Sequence, residues 1–126
     1  MNVEISSIAK AGQLDGERIV LRVTEECDIG RFAVFRCFSS EKERNVQSGN
    51  VPNVFWFPDK KVAAKDYVVV YTKSGASSEK KNSDGTTSHF FYWRLDAPIW
   101  TDGYTPVLVN TATWRLGQIV KQAGAA

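Results

Sequence analysis

Glu17-Arg18-Ile19-Val20-Leu21-Arg22-Val23-Thr24 is the stretch on which the fold class turns. Ile19, Leu21 and Val23 alternate with Arg18, Val20 and Arg22, the period-2 spacing of a strand with one face in a core and one toward water. Forty-odd residues on, Tyr67-Val68-Val69-Val70-Tyr71-Thr72 is apolar without alternation, which predicts the most buried strand of the chain. Outward from these two, further short β-branched or aromatic runs recur between turn residues. Val3, Ile5 and Ile8 open a first strand, Arg31–Phe38 forms a third, and Val54–Phe57 ends at the breaker Pro58-Asp59. His89–Trp93, Pro106–Asn110 and an edge strand over Thr113–Ile119 complete the set. Seven or eight short strands without an amphipathic helix of useful length predict an all-β sandwich.

The chain's 126 residues suit one domain and one core, and four Trp, four Tyr and seven Phe supply the large pieces that such a core needs. A net charge of +2 from 16 basic and 14 acidic side chains is too small to name nucleic acid or an anionic membrane as partner. The start, Met1-Asn2-Val3-Glu4-Ile5, has no basic and apolar leader, and no run approaches the roughly 18 apolar residues of a spanning helix. These features predict an intracellular location. Cys27 and Cys37 flank the turn Asp28-Ile29-Gly30. If that turn joins a hairpin, they stand more than about 20 Å apart, beyond disulfide reach. Two thiols and one histidine are too few for a zinc site, and no cofactor is expected.

Lys73–Ser88 is polar and small throughout and reads as one long loop, with Asp84-Gly85 a turn inside it. Residues 1–121 are expected to form the domain and 122–126 a frayed tail.

The order of short motifs is informative as a set. Gly16-Glu17-Arg18-Ile19-Val20-Leu21-Arg22 is followed by Ile29-Gly30-Arg31-Phe32-Ala33-Val34, Phe55-Trp56-Phe57-Pro58, Lys65-Asp66-Tyr67-Val68-Val69-Val70-Tyr71 and Thr105-Pro106-Val107-Leu108-Val109-Asn110. Over roughly residues 3–120 this order resembles the lamin tail domain family. The resemblance implies an immunoglobulin-like β-sandwich that binds proteins and, in some settings, DNA, with no catalytic residues to carry over.

Four groups of residues are candidates for function. His89, the one histidine, has Ser83, Ser88, Asp84 and Asp96 nearby in sequence, as a hydrolase triad would need. No nucleophile-elbow motif accompanies it, so it reads as a strand-end histidine of a chain that is not an enzyme. Glu25, Glu26 and Asp28 cluster at a turn without the alternating spacing of a calcium loop, and read as a solvated turn. Lys60, Lys61, Lys80 and Lys81, with Lys65 and Lys73, could neutralise phosphates beside the stacking faces of Tyr71, Tyr92, Trp93 and Trp100, but Asp59, Asp66, Glu79 and Asp84 are interspersed. The aromatic segment Phe90–Trp100 points most clearly to function. A sandwich strand has one core face, so this segment predicts a contact surface of Tyr92, Trp93, Arg94 and Trp100 for a protein partner or a second copy.

Overall fold

The computed structural model describes residues 1–39 and 51–120. Among them are ten strands: β1 (Val3–Ala9), β2 (Arg18–Val23), β3 (Cys27–Asp28), β4 (Phe32–Phe38), β5 (Asn53–Trp56), β6 (Lys61–Val62), β7 (Tyr67–Tyr71), β8 (Ser78–Lys81), β9 (Thr87–Tyr92) and β10 (Tyr104–Asn110). They form a five-stranded sheet, β1-β2-β7-β9-β8, a three-stranded sheet, β10-β4-β5, and a two-stranded patch, β3-β6. The chain is an all-β sandwich, as the alternation of β2 predicts.

The two decisive stretches lie side by side at the centre, where β2 and β7 pair antiparallel from Arg18↔Tyr71 to Arg22↔Tyr67. Ile19, Leu21 and Val23 of β2 and Val68 and Val70 of β7 are buried. Phe32 and Val34 of β4 meet them from the other sheet, joined by Phe57, Phe91, Ile99 and Trp100. Val69, on the outer face of β7, is also buried, which explains the missing alternation.

Three sequence expectations are corrected. The 73–88 segment is not one loop: Ser78–Lys81 forms β8, antiparallel to β9 through a turn at Asp84-Gly85. Every β8 residue is exposed, so no apolar signal marked it. The turn itself is as expected, with Gly85 at φ 88° and the Asp84 carboxylate accepting from Thr86 N and Oγ1. The segment 113–119 forms no strand and Trp114, Leu116 and Ile119 are exposed. The Asp28-Ile29-Gly30 turn does not close a hairpin, because β3 pairs with β6 while β4 pairs with β10 and β5. Ile29–Arg31 is a 3₁₀ turn capped by Asp28, whose Oδ1 accepts from Gly30 N and, across the chain, from Lys60 N. Cys27 and Cys37 are free, Cys37 buried and Cys27 half-buried. Burial pushes both thiols above their usual value, and the charge of Asp28 adds to the shift at Cys27. The expected fraying of 122–126 lies outside the described residues.

One carboxylate joins distant segments. Glu17 is fully buried, and its two oxygens accept from Gly12 N (2.7 Å), Thr72 Oγ1 (2.6 Å), Ile99 N (2.8 Å) and Trp100 N (3.2 Å). A charge can be buried at tolerable cost when its lone pairs are filled this way. Arg36 holds the same 99–100 segment from the other side, donating to Ile99 O (2.7 Å) beneath the ring of Tyr104.

Candidate functional site

Where β5 passes over β9, the side of the sandwich opens into a groove of about 390 Å³. Its walls are Phe55, Trp56, Pro58, Tyr92, Trp93 and Arg94. On β5, Phe55 turns inward and packs against Phe57, Phe91 and Trp93, with ring centroids 5.1, 6.4 and 5.6 Å away. Its neighbours Val54 and Trp56 turn outward and are 49% and 46% exposed, as strand alternation requires. The Trp56 indole is fixed at one end by donating to Gly30 O (2.9 Å) and meets the Trp114 ring edge-on at 5.0 Å.

The opposite wall is shaped by the end of β9. Trp93 N donates to Tyr71 O and Leu95 N to Thr72 O, so the chain stays tied to β7 as it turns. Between them Arg94 adopts φ 66° and projects its exposed side chain at the groove mouth. Tyr92 is backed by Gly75, where a Cβ would enter the tyrosine ring.

Of the four residues expected to form a contact surface, Tyr92, Trp93 and Arg94 line the groove, and Trp100 does not. Trp100 is 4% exposed and stands behind Trp93, edge-on at 6.1 Å, with its backbone held by Glu17. It supports the site from the core and cannot touch a partner. Trp93 is half-buried and packs against the core on one side. Sequence reasoning missed Phe55, Trp56 and Pro58 as walls, because the unbroken run Val54–Phe57 shows no period that separates its exposed members from its buried ones.

His89 lies inside β9 and is buried, and its partners differ from those near it in sequence. Nε2 meets the buried Asp66 carboxylate at 2.9 Å, and Nδ1 faces Glu79 Oε2 across 3.4 Å. Ser88 Oγ is engaged with Asn82 instead, so neither Ser88 nor Asp84 joins the histidine. Burial raises the Asp66 carboxyl, but bonds from His89, Thr87 N and Ala63 N outweigh it and hold the group below its ordinary value. The Lys60 ammonium, 3.1 Å from Glu79, holds that carboxyl low as well.

The lysines of the alternative site are partly engaged. Lys60 is paired with Glu79, and Lys80 and Lys81 project to opposite sides of β8. Tyr71 and Tyr92 stack on each other (5.2 Å, 12°), and Arg18 and Lys73 sit over the Tyr71 ring. Gly75 lies close against the Tyr92 ring. Of the other two expected stacking faces, Trp100 is buried and Trp93 lines the groove. Glu25 and Glu26 are exposed, while Asp28 spends its carboxylate on capping. A second depression, of about 530 Å³, is lined by Asn2, Glu26, Asp28, Arg31, Lys61 and Asn110 among others, with charges of both signs.

Among the described residues, no group of three or more His, Cys, Asp or Glu side chains is placed to hold a metal ion, and no helix is long and apolar enough to cross a membrane. Comparison of the sequence with protein-family models and with curated proteins finds no match.

Proposed function

We propose that this chain is a non-enzymatic binding or scaffolding module that receives a protein partner in the aromatic groove beside β5. The observation that carries the reading is the composition of that groove: Trp56, Tyr92, Trp93 and Arg94 meet at one concave site, and Trp, Tyr and Arg are the residue types that dominate binding hot spots. A rigid frame supports it, since Trp93 rests on Trp100 and Trp100 on Glu17. The motif order shared with the lamin tail domain agrees with protein binding by an immunoglobulin-like sandwich, and two free thiols agree with an intracellular setting. The groove carries one cation, Arg94, and the partly engaged lysines favour protein over nucleic acid as the partner.

The test uses the full chain as bait in extract of the native host, beside Trp56→Ala and Arg94→Asn. Trp56 is half exposed, so its loss leaves the core intact, and Asn tolerates the left-handed backbone at position 94. A partner held by the wild type and weakened roughly thirtyfold by each change agrees with the reading. A partner that both variants retain, or one released only by raised salt, overturns it.

A further inference from the structure

Among the described residues the two main sheets have four edge strands, and three of them carry a feature that blocks pairing with another chain. β1 has a register break between Ile5 and Ser7. β8 is Ser-Glu-Lys-Lys, charged and exposed along its length. β10 contains Pro106, and a proline that leaves its ladder intact turns its missing N–H to the open side. β5, Asn-Val-Phe-Trp, has none of these. Phe57 N donates to Phe32 O, so the odd-numbered residues of this strand bond β4. The N–H and C=O groups of Val54 and Trp56 consequently point to the open edge. That edge is also the rim of the aromatic groove, and because β5 packs over β9, an added strand there would lie toward β8, which no described strand of the smaller sheet covers.

The same chain carries a segment with the complementary need. After β10, residues 111–120 run without secondary structure. Thr111 is pinned to Arg31 O by its N–H and hydroxyl, and Trp114 touches Trp56 at the end of β5. Beyond that contact Leu116, Ile119 and Val120 are 73%, 77% and 89% exposed. Three large aliphatic side chains within five residues are an exposed apolar cluster of the kind that marks an interaction site. One copy thus leaves both a strand edge and an apolar segment unsatisfied at the same end of the sandwich.

We propose that two copies satisfy both at once: the 115–120 segment of each adds as a strand to β5 of the other, in a symmetric exchange. This rests on the groove reading and names a second copy of the chain as its occupant. The exchange is isologous, so it closes at two copies and does not propagate. Leu116 and Val120 share one side of such a strand and Ile119 takes the other, and backbone bonding to Val54 and Trp56 sets its register.

The experiment is sedimentation velocity of the full chain over a concentration series, beside Leu116→Asp/Ile119→Asp and Val54→Pro. All three positions are exposed, and Val54 directs its N–H outward, so the fold is kept; thermal melts verify this. The expected result is a concentration-dependent dimer whose dissociation constant rises at least roughly a hundredfold in the double variant, because each dimer loses Leu116 and Ile119 from both copies, at about tenfold or more for each of the two segments. Val54→Pro should give the same loss. A chain that stays monomeric at every concentration overturns the proposal, including a monomer whose Val54 and Trp56 amides resist hydrogen exchange because its own tail has closed on β5. A dimer that survives both variants overturns it too. A monomer that still captures a partner through Trp56 and Arg94 defeats the exchange alone and leaves the groove reading standing.

Discussion

Replacing Glu17 by Gln tests whether the buried carboxylate holds the frame behind the groove. The amide keeps the length of the side chain and turns one acceptor oxygen into a donor. Placed at the Oε2 position, that donor would face two N–H donors, Gly12 at the surface and Trp100 in the core, and orphan the buried one. Placed at Oε1 it would face Ile99 N–H and the Thr72 hydroxyl, and the hydroxyl can reverse and accept. The second arrangement is cheaper, with one buried N–H left unpaired, at about 1–3 kcal/mol. Loss of the charge from the remaining bonds adds about 1 kcal/mol, so Glu17→Gln should cost about 2–4 kcal/mol. Glu17→Ala orphans the buried N–H groups of Ile99 and Trp100 at about 1–3 kcal/mol each and also empties a fully buried site, a loss that approaches the whole stability of an ordinary domain, and should be more damaging than Glu17→Gln. Urea denaturation followed by circular dichroism measures the difference. In a double-mutant cycle, Thr72→Val should cost more in the Gln background, where the hydroxyl is the amide's acceptor, than an independent site would. Glu17→Gln within about 0.5 kcal/mol of wild type would refute the reasoning, since it would mean that these bonds carry no net stability.

The Asp66 carboxyl is held below its ordinary value, so it stabilises the fold fully above the normal carboxylate range and progressively less as pH falls through it. The Asp66→Asn variant should therefore show a shallower loss of stability between about pH 5 and pH 2 than wild type, and equal slopes in urea titrations at each pH would contradict this. Gly75→Ala should push Tyr92 or the 73–77 segment aside and cost about 1–3 kcal/mol. The Tyr92 ring resonances should shift in an NMR spectrum, and an unshifted ring would show that the backing at Gly75 is loose.

The fold was legible where one face of a strand meets the core. β2 announces itself by alternation and β7 by its unbroken apolar run, and both are where the sequence places them. β8 was not legible, because an edge strand exposed on both faces needs no apolar residue; only its backbone pairing with β9 defines it. The pairing of β7 with β9 is parallel, and nothing local in either strand encodes direction. At the groove, Tyr92, Trp93 and Arg94 could be read from the aromatic segment. The inward position of Trp100 could not, because it depends on Glu17 and Arg36 drawing residues 99–100 against the core from more than sixty positions away. His89 shows the same limit: its carboxylate partner Asp66 is 23 residues distant, and the nearer Ser88 and Asp84 are occupied elsewhere.

The four tryptophans fall into two pairs of opposite character: Trp93 with Trp100 inside, and Trp56 with Trp114 outside. The molecule consequently carries its own optical labels. Emission from Trp100 is shielded from a neutral aqueous quencher and responds when the fold is lost, whereas emission from Trp56 and Trp114 is open to the quencher and responds when β5 is covered, and half-buried Trp93 falls between them. A titration with acrylamide would therefore separate an accessible fraction from a shielded one, and a ligand or second copy arriving at the edge strand would shrink the accessible fraction, to which Trp56 and Trp114 contribute most.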